Sequence, residues 1–148
     1  TSLSYKGLEF STLFSFVMGN KIYNNDRNNV ENPAYLYDNL SKELLTEWRQ
    51  PGDITRIPRP DNQFRAGTTR FVEDGDFLRL RNVILSYSLP TSIISKAKLS
   101  SVKIYAQGQN LLTFTKFLGF DPEISTGNLS GAQYPALRTV TFGINVGL

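Results

Sequence analysis

The chain of 148 residues contains no cysteine and no histidine. Without cysteine there is no disulfide framework, no thiolate zinc site and no cysteine nucleophile. Without histidine, His-based triads, imidazole metal sites and the most common general base are excluded. No apolar run approaches the roughly 18 residues that a helical membrane span requires. The glycines form neither a phosphate-binding loop nor a dinucleotide fingerprint. No cofactor and no metal site is expected. Charge of one sign is also missing: 16 basic residues stand against 13 acidic ones. The signs are mixed along the chain, which reads as a solvated loop surface and not as a nucleic-acid patch. Thr1 to Phe10 lacks the basic stretch and apolar core of a signal peptide. An exported protein would have lost its leader, or this chain begins inside a longer one.

What is present is alternation. From Arg138 to Leu148, Val140, Phe142, Ile144, Val146 and Leu148 share one parity, and Thr139, Thr141, Gly143, Asn145 and Gly147 share the other. A period of two marks a strand with unlike faces. Its length suits a tilted strand that crosses a bilayer. A mean hydropathy of −0.26 does not oppose this, because polar lumen positions dilute the apolar lipid face of a membrane barrel. Three further segments read as strands, giving four at about 6–23, 77–89, 101–115 and 138–148. The second is irregular: Arg79 and Arg81 share parity with Val83 while Leu78 and Leu80 do not, so either a bulge near Asn82 or a start above the membrane plane is expected. The connections are unequal. The stretches 24–76 and 116–137 are long, and 90–100 is short. In bacterial barrels long loops lie outside and short turns on the periplasmic side. That predicts extracellular loops at 24–76 and 116–137, a periplasmic turn at 90–100, and a C-terminus on the periplasmic side. Within the first loop the spacing predicts one helix, capped by Asn32 with Pro33 at its first position, carrying the stripe Leu36, Leu40, Leu44 and Trp48.

Four strands cannot close a membrane barrel, whose smallest forms have about eight. The fold expected is therefore all-β: the C-terminal antiparallel strands of a larger transmembrane barrel, with the plug domain absent. The alternative is a soluble β-sandwich or small β-barrel that binds a ligand in its loops. In that case Val140, Phe142, Ile144 and Val146 would pack against a second sheet instead of facing lipid.

Four segments carry a family resemblance. They are YKGLEFSTLFSFVMGNKIYN (Tyr5 to Asn24), FLRLRNVILSYSLP (Phe77 to Pro90), SSVKIYAQGQNLLTFTKFLGFDPEIS (Ser100 to Ser125) and YPALRTVTFGINVGL (Tyr134 to Leu148). The spacing from Gly108-Gln109-Asn110-Leu111 to Asp121-Pro122-Glu123 is the most specific. The chain resembles SusC/RagA-type TonB-dependent transporters. The resemblance implies a 22-stranded barrel with an N-terminal plug in the outer membrane of a Gram-negative bacterium. It implies energy supplied through TonB, which would engage the absent N-terminal part, and a SusD-like surface lipoprotein as a lid. Cargo in the family is usually an oligosaccharide and sometimes a peptide; this segment does not say which.

Individual residues have two readings each. Thr141, Gly143, Val146 and Leu148 fit the terminal signal read by barrel-assembly machinery, or simply an ordinary closing strand. Phe117, Phe120, Asp121, Glu123 and Tyr134 offer aromatic faces and carboxylates to a sugar, or pack and turn the loop. Asp121 and Glu123 are two acids on one turn and are not read as a glycosidase pair; no enzymatic activity is expected. Trp48 would touch the lid or cargo, or pack on neighbouring loops.

Overall fold

A computed structural model describes residues 1–31, 39–59, 68–124 and 133–148. Among the described residues seven strands follow along the chain: β1 (Ser2–Tyr5), β2 (Leu8–Val17), β3 (Lys21–Tyr23), β4 (Val72–Asp74), β5 (Phe77–Ser88), β6 (Ser101–Thr115) and β7 (Thr139–Gly147). Two short helices accompany them, α1 (Asn25–Val30) and α2 (Thr91–Ile94). The chain divides into two compact units. One comprises Thr1–Met18, Asp76–Thr115 and Ala136–Leu148, and the other Gly19–Gly75 and Lys116–Pro135.

The first unit is a five-stranded antiparallel sheet in the order β1-β2-β5-β6-β7. The hairpin between β1 and β2 turns on Lys6 and Gly7, whose φ angles of 46° and 84° suit the two-residue turn that matches strand twist. The Gly7 carbonyl accepts from Ser88 N at 2.8 Å, and a Cβ on Gly7 would stand 2.8 Å from the Ser88 carbonyl oxygen. The hairpin end is thus held against the end of β5. The sequence pattern had offered one strand over 6–23; β2 instead stops at Val17, and after a left-handed Gly19 (φ 77°) the chain pairs β3 with β4 in the second unit. β1 was not among the expected strands: Leu3 and Tyr5 alternate with Ser2 and Ser4, but the run is only four residues long.

A two-step irregularity crosses the middle of this sheet. Leu13 pairs with Asn82, but the next residue, Phe14, pairs with Leu80, so Arg81 is an extra residue in β5. Against β5, Asn82 pairs with Gln109 and Leu80 with Leu112, leaving Asn110 and Leu111 between them in β6. One extra residue reverses the parity of a strand, and two restore it. This is why β5 changes phase in sequence while β6 does not. Gly108, Asn110 and Leu111 make the irregularity feasible. Asn110 adopts φ 52° and donates from Nδ2 to the Leu137 carbonyl at 3.2 Å. Leu111 lies across Gly108, where a Cβ would come within 2.5 Å of its Cδ1.

The second unit is built around the β3–β4 pair, in which Ile22 opposes Glu73. Ile22 and Phe71 are fully buried. The Asn24 side chain caps α1 by accepting from Arg27 N at 2.9 Å, and Asn24 N donates to the Phe71 carbonyl. The buried carboxylate of Glu31 receives Arg27 and Arg70. Arg27 also reaches Glu73 at 3.1 Å, whose second oxygen accepts from Asn24 Nδ2 and Leu118 N. Both guanidinium groups sit over the Phe71 ring, at 5.9 and 4.9 Å. Burial opposes the charge on Arg27, but the two carboxylates outweigh it and raise its pKa above the usual value.

The helix expected after Asn32 needs correction where it can be seen. Asn32, Pro33 and Leu36 lie outside the described residues. Leu44 falls in a short 3-10 turn (Lys42–Thr46), and Trp48 follows in extended chain, its N donating to the Ile57 carbonyl at 2.9 Å. The helical spacing from Leu40 to Trp48 therefore is not one helix face. The turn is capped by Ser41, and a second turn closes when Asp53 accepts from Arg49 N and Gln50 N, which lowers the Asp53 pKa. Among the described residues of this unit the α-helix is α1, started by Asn24.

Candidate functional site

The sheet separates its two faces by chemistry. Row by row, Tyr5, Leu8, Tyr87, Ile104 and Ile144 align across the five strands, and so do Leu3, Phe10, Leu85, Ala106 and Phe142. Beyond the irregularity the same face carries Phe14 with Leu80 and Leu112, then Phe16 with Leu78 and Phe114. Because Arg81 bulges out of the ladder, Leu78 and Leu80 stay on this face; in a regular strand that counted Arg81 they would turn over. From the row of Val102 and Val146 to Phe114, with the two extra residues of β6 set aside, ten regular steps cover about 33 Å at roughly 3.3 Å per residue, or about 25 Å after a tilt near 40°. That is the height of the apolar band of an outer-membrane barrel.

The face is uncovered. Val140, Phe142, Ile144 and Val146 are 60, 78, 67 and 55 % exposed. A sandwich core would bury all four, so the described residues do not supply the second sheet that the soluble alternative requires. So large a continuous apolar surface marks a contact with lipid or another chain.

The opposite face is polar and internally bonded. Lys103 Nζ lies 2.6 Å from Glu9 Oε2, to which Ser86 Oγ also donates at 3.3 Å. Gln107 donates to Asn82 at 3.0 Å, and Arg81 Nε to Ser15 Oγ at 3.0 Å. Gly143 has a packing role here: a Cβ would come within 2.3 Å of the Tyr105 ring, which therefore lies across the glycine. Thr141 pairs with Gln107 and Val146 with Val102, while Leu148 is exposed beyond the ladder. β1 and β7 are the two edges of the sheet.

The loop residues singled out in sequence do not converge on one site. Phe117 and Asp121 are buried. Asp121 Oδ1 accepts from Glu123 N at 3.0 Å, an Asx-type turn of the kind the turn reading implies. Phe120 and Tyr134 are exposed, and Trp48 is half-buried. Phe120 lines a cleft of about 500 Å³ with Arg27, Glu31, Glu43 and Arg56; the other residues named above do not line it.

Comparison with known proteins locates this architecture. No family model matches the chain. Two curated proteins of Formosa agariphila (strain DSM 15362), TonB-dependent receptor P3 and TonB-dependent receptor P26, are each 33 % identical to it, over 97 and 98 % of its length. Among solved structures, the RagAB peptide transporter matches with a TM-score of 0.88 and 35 % identity over 98 % of the chain. The chain belongs with the SusC/RagA-type TonB-dependent receptors. It spans 15 to 16 % of the length of these relatives, so it corresponds to one part of such a receptor. As a receptor segment, its strands correspond to part of the barrel wall.

Two features of this receptor segment escaped the sequence pattern. One is the β1 hairpin, for which the Lys6-Gly7 pair was an available turn signal. The other is the Glu31, Arg27, Arg70 and Glu73 cluster. Its members are spread over more than 40 residues and show no spacing that pattern reading can detect.

Proposed function

We propose that this chain forms part of the wall, with its connected outer loops, of an outer-membrane importer driven through TonB. The observation that carries this reading is the open two-faced sheet: an uncovered apolar face of membrane height on one side, a bonded polar face on the other. The apolar face would meet outer-membrane lipid, with Val140, Phe142, Ile144 and Val146 among the lipid contacts. The polar face would line the lumen against the plug. β7 would pair with a strand from the remainder of the barrel, and assembly machinery would engage its open edge through the pattern at Thr141, Gly143, Val146 and Leu148. The connections 24–76 and 116–137 would lie outside the cell. There Trp48, Phe120 and Tyr134 are the residues available to a SusD-like lipoprotein or to cargo. Phe117, Asp121 and Glu123 would shape the loop. Cargo of the oligosaccharide or peptide class is taken up, and the match to the RagAB peptide transporter favours trial of peptides first.

The chain's lack of cysteine makes the test direct. Single cysteines along 140–147, in full-length protein freed of other reactive thiols, can carry spin labels in lipid vesicles. Accessibility to oxygen should oscillate with period two and peak at 140, 142, 144 and 146. Uniform access to a water-soluble relaxant at all eight positions would remove the membrane reading.

A further inference from the structure

We propose that the short-turn end of the sheet is a binding site for the headgroups of anionic phospholipid. The inference rests on the membrane reading above and names one partner for that surface.

The first unit is strongly basic. It carries seven basic side chains against Glu9 and Asp76 alone, whereas the second unit, with nine basic and eleven acidic residues, is slightly acidic. Three of the basic residues, Lys6, Lys96 and Lys98, lie at one end of the sheet. Contact between the Lys6-Gly7 turn and Ser88 brings that turn beside the start of the connection carrying the other two. From Ser86 to Val102 there is no acidic side chain. Glu9 does not neutralise the three, because its carboxylate is taken by Lys103 and Ser86 on the polar face.

Geometry directs this charge to the apolar side. Lys6 Nζ lies over the Tyr5 ring, 5.2 Å from its centroid, and Tyr5 belongs to the apolar row that continues through Leu8, Tyr87, Ile104 and Ile144. A cation on a tyrosine at the rim of an apolar face is the arrangement expected at a lipid–water boundary. The connection adds to it. α2 buries Ile94 and leaves Ile93 58 % exposed, so an apolar side chain and two lysines share one short exposed segment. Adjoining this rim, Leu8, Leu85, Tyr87, Ile104, Ala106 and Ile144 line a shallow apolar hollow of about 540 Å³, since Ala106 is the smallest residue in its row. Charge, amphipathic ring and hollow are the sequence of surfaces that a headgroup, glycerol region and acyl chain require. A neutral lipid would satisfy the hollow but leave three cations without counter-charge.

The test uses full-length protein in vesicles of equal phosphatidylglycerol and phosphatidylcholine. A fluorophore on Ser95→Cys reports bromine quenching, with the bromine carried by one lipid or the other. Each lysine near a membrane surface is worth up to about a fivefold factor, reduced by salt, so a several-fold excess of quenching by the anionic lipid is expected. The excess should disappear in the K6Q/K96Q/K98Q variant, and a label placed at Phe114→Cys, remote along β6, should show none. Equal quenching in the native sequence, or an excess that survives the triple substitution, overturns the lipid site while leaving the membrane reading intact. Quenching by neither lipid at either position overturns both.

Discussion

Single residues in this sheet act chiefly by permitting close approach. Asn110 holds a left-handed φ of 52° and fastens to the Leu137 carbonyl, while Gly108 gives Leu111 the space to cross it. The two effects at Asn110 can be separated. Asn110→Gly keeps the backbone conformation and loses the hydrogen bond, an expected cost of about 1 kcal/mol. Asn110→Ala loses both, for about 2 kcal/mol, because a left-handed L-residue without a helpful side chain costs a further 1 kcal/mol or so. Urea titration of the folded protein in lipid vesicles should rank them native, Gly, Ala; an alanine variant as stable as the glycine variant would contradict the backbone argument. The Gly108-Gln109-Asn110-Leu111 segment, the most specific part of the family resemblance, thus sits where the β6 backbone departs from regular pairing. Its residues were legible in the sequence, but their purpose was not. Nothing in a linear pattern says that Leu111 must lie over a glycine three residues earlier.

At the level of elements, the phase change in β5 is the instructive case. Arg79 and Arg81 fall in register with Val83 in sequence, which looks like a violation of the two-faced pattern. The structure places the extra residue at Arg81, one position from the bulge expected near Asn82, and the apolar face is continuous across it. Deleting Arg81 should therefore leave the two faces unchanged. Asn82 and Leu80 already oppose consecutive residues of β2, so without Arg81 regular alternation still puts Leu80 and Leu78 on the apolar face and Arg79 on the polar one. Arg81→Ser leaves the backbone count unchanged and should retain most folded protein. The measure is the fraction of heat-modifiable, folded protein in the outer-membrane fraction. Folded protein lost from the deletion but kept in the substitution would show that Arg81 is not the extra residue. The predicted helix after Asn32 shows the opposite failure. Leu40, Leu44 and Trp48 have helical spacing, yet Ser41 caps only a short 3-10 turn, Glu47 bridges to Ile57, and Trp48 N donates to the Ile57 carbonyl. Periodicity over so few residues cannot outweigh a competing tertiary hydrogen bond.

For the molecule as a whole, the decisive property is the asymmetry of the sheet. Neighbouring positions on β7 should respond in opposite ways to the same substitution. Phe142→Arg places a charge on the uncovered apolar face and should cost about 2–4 kcal/mol, seen as loss of folded protein from the membrane. Thr141→Arg, one residue away on the polar face, should be tolerated within about 1 kcal/mol, because that side already carries Lys103 and Arg81 with polar partners. Similar losses for both would mean that the two faces share one environment, and the barrel assignment of this sheet would fail. The second unit has a different logic. Its stability depends on the buried carboxylate of Glu31 between two arginines, not on a broad apolar surface.

Alternation, absence of cysteine and histidine, and unequal connection lengths determined the class of this chain: antiparallel strands with an apolar and a polar face, linked by long loops at one end and a short turn at the other. Those properties are local, since side-chain parity is fixed by the strand backbone itself. Tertiary structure alone decided which residues are extra in their strands, that Gly143 lies under Tyr105, and that Glu31, Arg27, Arg70 and Glu73 form one cluster. Each of these depends on pairing between segments distant in sequence, where register and contact are chosen by the energy of the assembled sheet and loops, not by any one segment.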